Sequence, residues 1–275
     1  MKLGYHSITW GGVVGDGSGV TSVKDLHYRS NGSLEVALAA IGSLGYEGVE
    51  IFDGNLMDHA DDPDRLRGLV SDAGVELVGV YTGANFIYDE IRPDEMHKIR
   101  AVIETAAQVG ASTLVVGGGA QRPGATQDAD FVKLGHALDE VDSLAREHGL
   151  RACYHPHLGT IAQSPVQIEQ VFAHTAIGFC PDTAHLAAGG GDPAQLIRRY
   201  GDRIRHVHLK DVVLSPLAFT PLGEGELNFE EILAAVREIG YDGWLMVELD
   251  SYDGDPEVAA KISKRYLDAL MANSA

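Results

Sequence analysis

Residues Pro93–Gly118 read PDEMHKIRAVIETAAQVGASTLVVGG. The apolar positions Ile99, Val102, Ile103 and Ala106 recur at helical spacing, and Pro93 suits a first turn. Gly110 is a stop signal, and the run Thr113–Val116 after it has the length and composition of a buried strand. Working outward in both directions, the same alternation of short apolar run and longer helical segment occurs eight times. Strands are predicted at Leu3–Thr9, Gly48–Phe52, Glu76–Tyr81, Thr113–Val116, Arg151–His155, Ile177–Asp182, Ile204–Leu209 and Trp244–Leu249. Helices are predicted at about Ser33–Leu44, Asp62–Ala73, Pro93–Val109, Asp128–His148, Pro165–Ala173, Asp192–Tyr200, Asn228–Ile239 and Pro256–Met271.

Eight βα units in 275 residues favour an α/β fold of one domain, residues 1–275, closed as a (β/α)8 TIM barrel. A doubly wound Rossmann-like sheet is the alternative. Glycine supplies 33 residues, about 12% against a usual 7%, as many tight strand-to-helix junctions would require. The Gly- and Ser-rich stretch Gly11–Gly32 is expected to be a mobile βα loop over the catalytic face. It lacks both the Gly-x-Gly-x-x-Gly spacing and a following Lys-Ser/Thr, so it is not a phosphate loop.

Lys and Arg number 21 against 40 Asp and Glu, a net charge of −19 that repels nucleic acid and anionic membrane surfaces. Two cysteines, Cys153 and Cys180, give neither a disulfide framework nor a Cys-rich zinc module, and are expected to fill the barrel interior. No apolar run is long enough to span a bilayer, and the first residues lack a signal-peptide core, so a cytoplasmic location is expected.

Side chains able to bind a metal gather at the ends of the last four predicted strands. The segments are His155-Pro156-His157, Asp182-Thr183-Ala184-His185, His206-Val207-His208-Leu209-Lys210-Asp211 and Glu248-Leu249-Asp250. A barrel makes these strands neighbours and puts its active site at their C-terminal ends. Period-two alternation sets His208 and Glu248 at the rim if their faces point inward, with His206 and Met246 a layer below. Two imidazoles and two carboxylates would suit Mn²⁺, Fe²⁺, Co²⁺ or Zn²⁺ better than Ca²⁺.

The order and wording of these motifs, with His157-Leu158-Gly159-Thr160 and Gly223-Glu224-Gly225-Glu226-Leu227-Asn228-Phe229, resemble the xylose-isomerase-like barrels of sugar isomerases, epimerases and dehydratases. Within that superfamily the motifs resemble those of the inosose (2-keto-myo-inositol) dehydratases. The resemblance implies one divalent ion, Mn²⁺ foremost with Co²⁺, Fe²⁺, Zn²⁺ or Mg²⁺ as other candidates, held by His155, Asp182, His208 and Glu248. Most isomerases and epimerases of the group carry Glu where this chain has His155, which removes one of two proton-exchanging carboxylates. The implied activity is a lyase: α-proton abstraction from a keto-inositol or keto-sugar, an enediolate stabilised by the metal, and β-elimination of water or of an aglycone from a 3-keto-glycoside. A ketose or keto-inositol isomerase or epimerase is the alternative.

Candidate acid/base groups are His157, His185, Lys210 and Glu50, the last expected at the end of its strand across the barrel. His6, Trp10 and Glu224 are candidate substrate contacts. Each has a plainer reading: His185 bonding a nearby carboxylate, Lys210 pairing with Asp211 or Glu248, Glu50 facing a helix, His6 and Trp10 packing, Glu224 capping a turn. The expected partner is a small keto-sugar or cyclitol, without nucleic acid or membrane, in a chain able to form homo-oligomers. An endonuclease of related fold is disfavoured by the charge, and a sugar-binding barrel without chemistry by the ligand set.

Overall fold

In the computed structural model, which describes residues 1–12 and 27–272, the apolar runs lie side by side as parallel strands. β1 (Lys2–His6), β2 (Gly48–Phe52), β3 (Glu76–Ala84), β4 (Thr113–Gly118), β5 (Arg151–Tyr154), β6 (Gly178–Phe179) and β7 (Val207–Leu209) follow the chain. A hairpin of β8 (Asp211–Leu214) and β9 (Leu217–Thr220) precedes β10 (Trp244–Val247). The sheet order is β6-β5-β4-β3-β2-β1-β10-β7. Its two ends meet through the bridges Phe179–Ile204 and Asp182–His208, and the His208 N–H donates to the Pro181 carbonyl at 2.9 Å. The sheet therefore curls round on itself as a barrel, and the open Rossmann-like alternative is set aside.

Around the barrel run α1 (Leu34–Ser43), α2 (Asp53–Met57), α3 (Pro63–Asp72), α4 (Arg92–Val109), α5 (Asp128–Glu147), α6 (Pro165–Phe172), α7 (Thr183–Ala188), α8 (Pro193–Arg199), α9 (Phe229–Glu238) and α10 (Pro256–Ala272). Local chemistry sets their ends. Ser164 and Gln167 form a capping box on α6, Asn228 accepts from the Glu231 N–H at the start of α9, and Gly110 at φ 86° closes α4 in the left-handed region. Strand alternation sorts the core. On β4, Leu114 and Val116 join the large cluster that includes the helices' apolar faces, while Val115 joins Ile8, Tyr28, Phe52, Tyr81, Cys153 and Cys180 in a separate, inner one. Both cysteines are free and buried, as filling residues should be.

Several predicted boundaries move for identifiable reasons. The first strand stops at His6, because its Nδ1 accepts from the Ile8 N–H and turns Ser7–Thr9 into a 3-10 helix. The sixth shrinks to two residues, with Asp182 keeping a single bridge to His208 while its side chain caps α7, a helix the sequence reading omitted along with α2. The seventh begins at Val207 and the eighth ends at Val247. The β8–β9 hairpin was not foreseen either: its two apolar runs are separated only by Ser215-Pro216. Of the stretch Gly11–Gly32, residues 13–26 lie outside the described residues. The chain returning from it is pinned, with the Tyr28 N–H donating to Asp53 Oδ1 at 2.7 Å and the Ser30 N–H to Asn55 Oδ1 at 3.0 Å. Among the described residues no helix is long and apolar enough to cross a membrane.

Candidate metal centre

Closure of β6 onto β7 brings four side chains to one point. His155 follows β5, Asp182 precedes α7, His208 lies within β7, and Glu248 follows β10; all four are buried, with donor atoms within 4.8 Å of one another. His155 Nε2 is 3.5 Å from Asp182 Oδ2, and His208 Nδ1 is 2.6 Å from Glu248 Oε2. Among the described residues these four atoms face one another and have no hydrogen-bond partner outside the group, although buried polar atoms are nearly always satisfied. One orphaned donor from each of four converging residues, two nitrogen and two oxygen, fits a divalent ion.

The other ends of the same side chains are engaged. Asp182 Oδ1 accepts from the His185 N–H at 2.9 Å and so caps α7. Glu248 Oε1 accepts from Lys210 Nζ at 2.6 Å. His208 Nε2 lies 3.1 Å from Glu50 Oε1, and His206 Nε2 is 2.9 Å from Glu50 Oε2. Glu50 therefore sits in mid-strand beneath the centre, fully buried, rather than at a strand end or against a helix. Room for it depends on Gly79: a Cβ there would stand 2.8 Å from Glu50 Oε2.

Burial alone pushes Asp182, Glu248 and Glu50 upward, but nearby cations outweigh it and hold all three ionised, Lys210 foremost for the first two and His208 for the third. Burial likewise works against charge on His208, yet Glu50 and Glu248 raise its pKa well above the ordinary value, so an incoming ion must displace a proton. Lys210 is fully buried and held charged by Asp250, Glu248 and Asp182.

His157 and His185 stand beside the donors with ring centroids 3.7 Å apart. Burial, reinforced by neighbouring imidazoles and Lys210, lowers both, His157 to about 4. His157 Nδ1 is 2.6 Å from the Leu158 carbonyl, which fixes the proton on that nitrogen and leaves Nε2 as a lone pair. His6 is buried between Phe52 and Glu50, at ring distance 4.6 Å and Nε2 distance 3.6 Å, and burial lowers it to about 4.

Two expected substrate contacts are not brought to this point. Trp10 packs edge-on to Tyr5 at 5.6 Å, in the outer core with the apolar side of α1. Glu224 is exposed, in a loop gathered by Asp211, whose carboxylate accepts from the N–H groups of Gly223, Gly225 and Leu227 at 2.9, 3.0 and 3.2 Å. Asp211 is thus occupied, and Lys210 pairs instead with Glu248 and Asp250. The sequence reading missed Asp250 as a partner of Lys210, although it stands two residues beyond Glu248 in the same acidic segment.

Residues 38–270 match the family model described as xylose isomerase-like TIM barrel. The chain is 30% identical to an inosose dehydratase of Lacticaseibacillus casei over 87% of this chain and 90% of that one. Among solved structures, it superposes on a 3-keto-D-glucoside 4-epimerase, YcjR, from E. coli with a TM-score of 0.73 at 18% identity, covering 98% of this chain and 99% of the other. The IOLI protein with a bound zinc atom gives a TM-score of 0.76 at 19% identity over 99% of both chains. The chain belongs to the xylose isomerase-like TIM barrel family.

Proposed function

We propose that this protein is a divalent-metal-dependent carbon–oxygen lyase, a dehydratase of a keto-inositol or related keto-sugar. His155, Asp182, His208 and Glu248 would hold the ion, with Mn²⁺ the first candidate for a mixed nitrogen and oxygen set. When bound, such an ion supplies Lewis-acid polarisation of a substrate carbonyl. The remaining chemistry falls to the protein. His157, neutral with Nε2 free, accepts the α-proton, breaking the Cα–H bond and leaving an enolate. The Lys210 ammonium offers fixed positive charge to the oxygen that becomes negative. The His157 imidazolium then returns its proton to the β-hydroxyl as the Cβ–O bond breaks, so water departs and a C=C bond remains. Glu50 orients His208 and is not the base.

The observation that carries this reading is His155 at the strand-five position. A two-base isomerase would use a carboxylate there, whereas an imidazole facing Asp182 leaves a single-base elimination. Similarity to a relative named inosose dehydratase supports the substrate class. The test is proton NMR of 2-keto-myo-inositol and of a 3-keto-glucoside in D2O, with Mn²⁺-loaded and EDTA-stripped protein. Metal-dependent α-deuteration with loss of water or aglycone, abolished in His157→Gln, is expected. Deuteration giving only a rearranged ketone would favour the isomerase, and no exchange would overturn both.

A further inference from the structure

Next to the four donors lies a second convergence. His185 Nε2, Glu248 Oε1 and Asp250 Oδ1 surround Lys210 Nζ at 3.2, 2.6 and 2.6 Å, with Asp182 Oδ2 at 3.6 Å. His185, Glu248 and Asp250 are all buried and offer ligand atoms within 4.8 Å of one another, a spacing that suits a divalent ion. Both residues outside the first set retain spare capacity: His185 Nδ1 and Asp250 Oδ2 have no hydrogen-bond partner among the described residues. What fills this cage is an ammonium.

The lysine is built in. Its N–H donates to Thr183 Oγ1 at 2.9 Å, the Thr183 hydroxyl donates back to the Lys210 carbonyl at 2.6 Å, and Nζ lies 4.9 Å from the Phe219 ring centre. Glu248 presents one oxygen to each cation position, as a bridging carboxylate does between paired metals. Three carboxylates, Asp182, Glu248 and Asp250, each place an oxygen within 3.6 Å of Nζ.

We propose that Lys210 is a resident second cation. The cage of His185, Glu248 and Asp250 is a latent divalent-metal site that the lysine keeps closed, which makes the centre mononuclear and places an immobile positive charge beside the ion. The proposal rests on the four-residue metal site but not on the reaction assigned to it.

The test counts metal. Purified protein is titrated with Mn²⁺ and assayed by elemental analysis and electron paramagnetic resonance. Wild type should stop at one ion per chain with an uncoupled spectrum. Lys210→Ala should take two and show the multiline signal of an exchange-coupled pair, and Lys210→Ala/Asp250→Ala should return to one. Should Lys210→Ala give no cooperative melt, Lys210→Ser replaces it with the same expectation. Two ions in wild type, or one uncoupled ion in a folded Lys210→Ala or Lys210→Ser, would overturn the proposal. No ion in wild type would instead overturn the four-residue site beneath it.

Discussion

His208 Nε2 lies 3.1 Å from Glu50 Oε1 on the floor of the barrel, and this contact decides which nitrogen faces the metal position. With Nε2 keeping its proton toward Glu50, Nδ1 beside Glu248 is the nitrogen that gives up its proton to an incoming ion.

Glu50→Gln should therefore weaken Mn²⁺ binding without removing a ligand, by about 10- to 100-fold as for other partners of ligating histidines. A chelator-competition titration measures it. Unchanged affinity would show that Glu50 only balances charge.

Asp182 serves two structures at once, capping α7 through Oδ1 and facing His155 through Oδ2. Asp182→Asn keeps a cap acceptor and loses the anionic ligand; Asp182→Ala loses both. Both should lose metal, and the metal-free Ala variant should be less stable than the Asn variant by about 1 kcal/mol, the usual worth of such a cap. Chemical denaturation of the stripped proteins reads the difference, and equal midpoints would argue against the capping role.

His155→Glu restores the second carboxylate of the isomerase pattern. Elimination should fall and rearranged ketone should rise in the D2O assay, with metal retained because a carboxylate is also a ligand. An unchanged product would remove the strand-five argument for a lyase.

The metal-free protein should lose stability as pH falls from 6.5 toward 4. His6 and His157 have folded pKa values of about 4 against 6.5, so in that window the unfolded chain binds more protons and acid favours it. Each should cost about 2 kcal/mol by pH 5. Two groups are shifted the other way: His208, whose contribution is already complete below 6.5, and Asp250, raised by burial to about 7, which gains stability in the same window and offsets about one of the two histidines. Urea midpoints at pH 7 and pH 5 check this, and His6→Gln should flatten the slope. A midpoint independent of pH would contradict the buried neutral state.

The barrel was legible because its signals are local. Each amphipathic helix, Gly stop and apolar run sits within some twenty residues, as in Pro93–Gly118, and eight repeats in order leave few topologies. The candidate ligands were legible in part for a related reason, since chain order makes the last four strands neighbours and period two sets His208 and Glu248 at the rim; the choice of His155 and Asp182 came from the family resemblance.

Contacts across the barrel were not legible. Glu50 was read as a candidate acid/base group at a strand end, because its partnership with His206 and His208 depends on closure and stagger rather than on spacing. Lys210 was expected beside Asp211 or Glu248; that the ammonium also meets Asp250, while Asp211 holds a backbone loop, follows from how β7 gives way to the hairpin. Trp10 and Glu224 had suitable chemistry for sugar contacts, yet packing took one into the core and the other out to solvent.

By itself, then, the sequence determined the eight-unit barrel and which strand ends carry the candidate metal-binding side chains, because periodicity and order along the chain carry that information. Tertiary structure decided which nitrogen of His208 faces the other three candidate ligands, which carboxylates share Lys210, and which candidates lie away from that point. Those outcomes depend on distances of 2.6 to 3.6 Å between residues far apart in the chain, and such distances exist only once the sheet has closed.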